Sequence, residues 1–527
     1  MTNILDRAIG VLSPERALKR EVSRRRLELL NSGYSHHGAS RTKTSMLGWM
    51  YHSGSPDDDI TLNTVDLRQK CRDLYMGNPL ACGALKTERT NVVGIGLQLN
   101  PQADAKFLKM SDDEANQWRE TVRREFALWA DSKTCDAALT SDFYQLQQLA
   151  FLSALMSGDV FVLLPAVARA GSVYNLCVQL VEADRVCNPL GILEQPPVME
   201  GVELGGYGEP VAYYIAKYHP LSTVNTKLNE WTKVRAFGAK TGRRNVLHLK
   251  DMERPGQRRG VPKLAPVIEI IKQLGRYTEA EVMAAVVSGL LTVAITSDAA
   301  DNTGGLGEDE LPGIVSGKSI DDDAQNAIKL GNGTVVELRP GEKLDSINPT
   351  RPNAGFDPFV MSLLRQIGAA LEIPMELLVK HFTASYSASR AALLEAWKYF
   401  RMRRDWLACD FCQPIYEEWL AEAVARGRVP APGFFSDPAI RKAYCNAEWN
   451  GPSPGQIDPK KEADAAVVRV QNCFSTMARE TTELTGGDWE ANYRERVREE
   501  RMMKEGGLVY ERTQQTLSSQ ERDIDAD

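Results

Sequence analysis

The sequence is poor in everything that a catalytic or redox centre is built from. Only six histidines occur in 527 residues, and none sits at triad or ligand spacing from another candidate. The nine cysteines, at 71, 82, 135, 177, 187, 409, 412, 445 and 473, are odd in number and irregular in spacing, which reads as free thiols in a reducing compartment. Cys409 and Cys412 form a lone CxxC inside an aromatic helical run, without a second pair or a nearby histidine, so buried small side chains are expected rather than a metal. Positive charge is also short: 63 Lys and Arg face 70 Asp and Glu, a formal net charge of −7. That balance disfavours tight, static binding of duplex nucleic acid. The longest apolar run, Val282 to Ile295, is broken by Ser288, Gly289 and Thr292 and falls short of the ~20 residues of a membrane span. The start, MTNILDRAIG, is too polar for a secretory leader. A soluble protein made inside the cell is the expectation.

What is present is ordinary globular material, 43% hydrophobic and 25% charged, long enough for two or three domains. Residues 1–45 hold nine Lys or Arg against four Asp or Glu, and Ser13 with Pro14 reads as the start of a short basic helix in an N-terminal arm. Leu67, Cys71 and Leu74 share one helix side, and Asn78 with Pro79 marks a turn into a second helix. Gly94 and Gly96 make a lone GxG, not a dinucleotide site. Trp118, Val122, Phe126 and Trp129 form a buried helical stripe. Ser157–Pro165, Tyr174–Val186, Pro210–Tyr218 and Arg244–Leu249 read as antiparallel strands. Glu182 and Asp184 lie two apart, on one strand face, with no partner that makes them a catalytic pair. A basic turn containing Arg254, Arg258 and Arg259 runs into a helix from about Pro262. Thr296–Asp345 is rich in Gly and Asp, an exposed excursion with a small β element, GTVVELRPGE. Within it, Gly313–Ser319 spells GIVSGKS, one residue short of a phosphate loop.

The stretch Gly341–Leu420 organises the chain. Phe359, Leu363, Ile367, Ala370 and Leu371 recur at helical spacing until Pro374, which ends or kinks the helix. A second run from about Ser389 to Arg426 carries Leu393, Trp397, Phe400, Leu407 and Phe411, with Pro414 bending it. Between them lies FTASYSASR, Phe382–Arg390, a loop of small hydroxyl residues around Tyr386. Arg390, Arg401 and Arg404 fall within a ~60° arc of the following helix.

The segments NPTRPNAGFDPFV, LEIPMELL and YSASRAALLEAWKYFRMRR closely resemble the lambda-type portal proteins of tailed bacteriophages, and the resemblance runs from about Thr42 to about Leu508. It implies an α+β portal fold with an arm (1–45), a wing (46–261), a first stem helix (262–295), a clip (296–345), a second stem helix (346–381), a channel loop (382–390), a long wing helix (391–430), a helical crown (431–510) and a disordered tail (511–527). It implies a homo-oligomeric ring, usually of twelve, at one capsid vertex of the virion, through which double-stranded DNA is packaged and ejected. The implied partners are terminase, the major capsid and scaffold proteins, and the neck or tail connector. No cofactor, metal, membrane or enzymatic activity is implied. Thr383, Ala384, Ser385, Tyr386, Ser387, Ala388 and Ser389 are expected to touch DNA in passage, and Arg390, Arg401 and Arg404 to contact DNA or a neighbouring subunit. A neck or tail-tube ring is the structural alternative, and a packaging-motor ATPase the enzymatic one.

Overall fold

The computed structural model describes residues 53–190, 192–224, 230–289, 293–297, 342–346, 355–382, 385–455 and 458–507, with scattered positions between 15 and 49. The chain divides into two units, residues 1–59 and 60–527. In the first, the described positions 15, 18–20 and 22–23 are helical, and a short helix, Pro56–Asp59, is capped by Ser55 against Asp58. The expected helix start at Ser13 and Pro14 lies outside the described residues.

The second unit is built on helices whose ends are written in the sequence. Helix α1, Thr64–Gly77, stops before Asn78, whose side-chain oxygen accepts from the amides of Leu80 and Ala81 and starts α2, Pro79–Val92. Ser111 with Glu114 and Asp142 with Gln145 form capping boxes for α3, Asp112–Ala130, and α4, Phe143–Ser157. The aromatic stripe of α3 is buried as its spacing predicts. Further along, α5 spans Ile268–Gly289, α6 Phe356–Leu371, α7 Met375–Val379, α8 Tyr386–Leu407 and α9 Gln413–Ala425. Phe126 meets Trp419 edge-on at 5.0 Å, and Phe143 stacks on Phe411 at 5.8 Å. One hydrophobic core therefore joins residues from Cys71 to Cys445.

Two antiparallel sheets sit beside this core. One has the order β3-β2-β8, with β2 at Asp159–Leu163, β3 at Gln179–Val181 and β8 at Val246–Lys250; the other runs β4-β5-β6-β7, with Val198–Met199, Val202–Leu204, Pro210–Ala216 and Trp231–Arg235. Phe161, Val181, Tyr213, Ile215 and Val246 make a second, smaller core with their neighbours. A two-stranded pair joins β1, Gln98–Pro101, to β11, Ala447–Asn450. β9 at Val293–Ser297 and β10 at Glu342–Ser346 form a further antiparallel pair. The α+β class that the resemblance implies is the one observed.

Several boundaries differ from the expectation. The run expected as one strand over Tyr174–Val186 holds a strand only at Gln179–Val181, then a tight turn at Ala183–Arg185 that carries Asp184 toward arginines on α1. The helix expected over 262–295 ends by Gly289, and β-branched residues then form β9. The second of this pair splits at Pro374, which precedes α7. Its buried face is Leu364, Ile367, Gly368 and Leu371, while Phe359 is half-exposed. At Pro414 the helix is not broken. Ala408–Cys412 takes a π-turn in which Gln413 N donates to Ala408 O, and the widened turn accommodates a residue that lacks an amide and crowds the preceding carbonyl. Cys412 is buried there and Cys409 exposed. The lone GxG is a packing feature, since a Cβ at Gly96 would overlap the ring of Tyr144. GIVSGKS and GTVVELRPG lie outside the described residues.

The basic turn before α5 is buried. Arg258 donates to Pro197 O and Val202 O at 2.7 and 2.8 Å. Arg259 donates to both carboxylate oxygens of Asp159 (2.6 and 3.1 Å) and to the carbonyls of Val186, Glu200 and Ala183. His248 Nε2 lies 3.2 Å from the same carboxylate. Gly158 and Gly260 cross so closely here that a Cβ on Gly158 would sit 2.5 Å from Gly260 O.

Burial alone would raise the Asp159 pKa, but Arg259 and His248 outweigh it and hold the carboxyl well below its usual range. Burial pushes His248 down to about 4. A histidine held neutral in the fold supplies stability above its unfolded pKa of ~6.5 that is lost as pH falls toward the folded value. The Asp159 contribution persists to lower pH and fails only below the ordinary carboxylate pKa of ~3.9. The thermal midpoint is thus expected to fall from neutral pH toward about pH 4, and His248→Gln to flatten that slope. Scanning calorimetry of both proteins across this range is the check, and identical slopes would show that His248 is not the titrating group.

Candidate functional site

The segment of interest begins where α7 ends. Lys380 takes a left-handed conformation (φ 54°), and His381 N donates to Glu376 O. His381 and Phe382 are exposed. Thr383, Ala384 and the side chain of Tyr386 lie outside the described residues. Ser385 is extended, and from Tyr386 onward the chain is helical, with Ser389 N donating to Ser385 O at 2.9 Å. The loop expected over 382–390 is therefore shorter, because Tyr386–Arg390 already form the first helical turn. The cause is local: Ser385 is a helix-starting residue type, and no Gly or Pro follows in YSASRAALLEAW. Ser387 and Ala388 remain exposed on that turn.

The arginine row on α8 does lie along one side, and the structure shows what it meets within the chain. Three helices follow β11: α11, Pro459–Gln471; α12, Met477–Thr485; and α13, Trp489–Glu505, with α10, Pro438–Cys445, preceding β11. Arg390 faces Glu462 on α11 at 3.9 Å, and Arg401 faces Glu483 on α12 at 3.7 Å. Arg404 is largely buried. It donates to Val92 O, Asn91 O and Pro452 O at 3.2, 3.1 and 2.8 Å and stacks over Trp397 at 5.3 Å. Burial, reinforced by Arg401, brings its pKa down to about 10. Within the chain Arg404 is thus bonded to the end of α2 and to the segment between β11 and α11. Spacings of 11 and 14 residues had placed all three on one side; the carbonyls that absorb Arg404 lie hundreds of residues away or beyond a turn, where spacing gives no signal. Leu393, Leu394, Trp397, Pro454, Ala465 and Leu484 line a groove of about 210 Å³ between α8 and the C-terminal helices.

Glu182 and Asp184 are joined by His219, and the three ligand atoms lie within 4.8 Å of one another. No spacing signal links His219 to this pair; it lies 35 residues beyond Asp184 along the chain. Arg72 already bridges the two carboxylates, at 3.0 Å from Glu182 and 2.6 Å from Asp184, and Arg68 lies 3.8 Å from Asp184 and 2.9 Å from Glu200. The group is a charge network holding α1 to the sheets, and the carboxylates are neutralised by arginine rather than left open for a metal.

These features define an α+β subunit in which a buried charge network and a long aromatic helix fix a pair of helices, α5 and α6, at the edge of the core. Residues 42–404 match the family described as phage portal protein, lambda family. The chain belongs to that family. Portal protein B of Escherichia phage lambda is 25% identical over 490 residues, covering 90% of this chain and 91% of that protein. The portal protein of Escherichia phage N15 is 25% identical over 502 residues, again covering 90% and 91%. The probable portal protein of a Halomonas phage, phiHAP-1, is 21% identical over 435 residues, covering 81% and 78%. Among solved structures, a chain from the neck of a native gene transfer agent particle, computed with C12 symmetry, superposes with a TM-score of 0.40 at 15% identity, covering 80% of this chain and 93% of that one. A chain from the neck of the empty particle, computed with C6 symmetry, gives 0.42 at 15% identity, with 80% and 94% covered.

The two kinds of arginine predict different mutants. Arg404→Ala leaves buried carbonyls without donors and should cost about 2 kcal/mol or more, releasing the segment after β11 to limited proteolysis. Arg401→Ala removes a half-exposed ion pair and should cost ~0.2–1 kcal/mol. Equal protease sensitivity of the two variants would contradict this division.

Proposed function

We propose that copies of this portal protein close into a ring, with twelve subunits the expected number, and that double-stranded DNA passes through its centre during packaging and ejection. The observation that carries this reading is the pair of helices α5 and α6. Among the residues of α5 whose burial is described, Leu274 is the last buried one; beyond it Val282, Met283 and Val286 are each more than half exposed, and on α6 Phe359 is half exposed. The opposite side of α5 packs on α6 through Tyr277, which stacks on Phe356 at 5.5 Å and meets Phe359 edge-on at 5.2 Å. α5 and α6, an arm distinct from the N-terminal residues 1–45, are therefore specified as two paired helices, yet they leave large apolar side chains on the surface of the single chain. Such a surface is stable when a neighbour covers it, and a head-to-tail contact repeated by rotation closes a ring.

The remaining roles follow from the same frame. The antiparallel pairing of β9 with β10 draws together the ends of residues 298–341, as suits a clip that protrudes to dock the terminase and later the neck. Residues 382–389, at the start of α8, supply the channel contact: hydroxyls and small side chains make weak hydrogen bonds to phosphates and hold nothing tightly. A net charge of −7 per chain favours sliding over gripping of a duplex that carries one charge per ~1.7 Å. Arg390 and Arg401 hold the crown helices to the helix behind this contact. The protein works without catalysis, as a virion component that meets capsid and scaffold proteins at one vertex.

Electron microscopy of the purified protein is expected to show rings with a central hole. Met283→Asp with Val286→Asp should leave a folded monomer that forms no ring, whereas deletion of Thr383–Ser385 should leave rings intact and impair packaging or retention of DNA in infected cells. Rings formed normally by the first variant would remove the arm from the interface, and full packaging by the second would make the segment a plain connector.

A further inference from the structure

At the base of this arm lies a carboxylate with an unfilled bonding position. Glu88, on α2, is fully buried. Its Oε1 accepts from the hydroxyl of Tyr399 at 2.5 Å, and its Oε2 has no hydrogen-bond partner among the described residues. A buried carboxylate oxygen left alone is costly, and its presence calls for a partner that comes and goes or for a proton. Two cations stand near. Arg403 is held by Asp251 at 2.6 Å and stacks on Trp406 at 4.5 Å. Lys263 is differently placed: its Nζ lies 4.5 Å from the centre of the Tyr399 ring and 3.7 Å from Glu372. Its backbone is pinned, since Lys263 N donates to Leu155 O at 2.9 Å, so only the side chain is free to move. Glu372 ends α6 in a left-handed conformation (φ 58°), and Lys263 precedes α5. The lysine thus joins the feet of the two arm helices and lies along the ring whose hydroxyl touches Glu88.

We propose that Lys263 is a two-position latch: it pairs with Glu372 when Glu88 is protonated, and it swings along the Tyr399 ring to Glu88 when Glu88 is ionised, releasing the α6–α7 corner. The step exchanges one proton with solvent and breaks no covalent bond. Burial holds the Glu88 carboxyl above its ordinary range, while Lys263, Tyr399 and Arg403 pull it down and Glu372 pushes it up. Of the other elements packed on α2, α4 carries no charged side chain, α7 carries only Glu376, and α1 commits Arg68 and Arg72 to the network around Asp184 and exposes Asp66, Lys70 and Asp73. A raised pKa means that the protonated, Glu372-paired state prevails at low pH and is lost as pH rises through the folded value. The latch is a property of one chain and stands or falls apart from ring closure.

Hydrogen–deuterium exchange of the full-length protein, corrected for intrinsic rates, tests it between about pH 5 and about pH 9. Protection of residues 367–379 is expected to fall about fivefold as pH rises. Glu88→Gln should keep protection high at every pH, and Glu372→Gln should keep it low. If Glu88→Gln does not fold, Lys263→Gln serves instead, with low protection independent of pH. Retention of the wild-type pH response in Glu88→Gln or Lys263→Gln would overturn the proposal, as would a wild-type protein whose protection does not change.

Discussion

The pairing of Arg259 with Asp159 is the constraint on which the second unit depends. A single guanidinium ties the start of β2, the turn at Ala183–Arg185 with Val186 after it, the turn between β4 and β5 at Glu200, and the segment that launches α5. Taken singly, a buried ion pair of this kind contributes little net stability, because the desolvation of both ions offsets their attraction. Its effect is on geometry. Five directed bonds from one planar group leave the backbone around Gly158 and Gly260 a single way to cross, and the direction in which α5 leaves the core follows from that crossing.

The charge network continues through Glu200 to Arg68, and through Asp184 to Arg72. Helix α1, the two sheets and the foot of α5 are thereby held in one register by groups that have no apolar substitute with equal directionality. The large aromatic core does the complementary work. Phe126, Phe143, Phe411, Tyr416 and Trp419 supply area and dispersion without prescribing angles so narrowly. Tight direction at the base and broad adhesion along α8 and α9 together explain how a pair of helices with an apolar surface is carried by a core that does not itself cover them.

Much of this was legible in the sequence wherever the signal was local. The α3 stripe, the turn at Asn78 and Pro79, the stop at Pro374 and the strand at Asp159 follow from spacing and residue type. The family resemblance, carried by NPTRPNAGFDPFV and YSASRAALLEAWKYFRMRR, agrees with the match over residues 42–404. What stayed hidden were the partners of charged residues. Arg258 and Arg259 read as a basic turn, and nothing in their neighbourhood announces carbonyls 56 to 76 residues upstream. Arg404 looks like its neighbours Arg401 and Arg403, yet only it ends on the carbonyls of Asn91, Val92 and Pro452. The start of α8 at Tyr386 is hidden for the opposite reason: a run of Ser and Ala suits a loop and a helical first turn alike, and the absence of a breaker decides for the helix.

The pairing of β1 with β11 has a consequence for the order in which the protein is made. Strand Gln98–Pro101 finds its partner only at Ala447–Asn450, and the aromatic faces of α3 and α4 are covered by α8 and α9 from the same distant stretch. A ribosome that adds roughly 5–20 residues per second needs on the order of tens of seconds to travel between the two. Through that interval the early helices lack the cover that α8, α9 and β11 later supply. The nascent chain is therefore a natural client for holding chaperones, and its yield in a host should follow chaperone supply more closely than the stability of the finished fold.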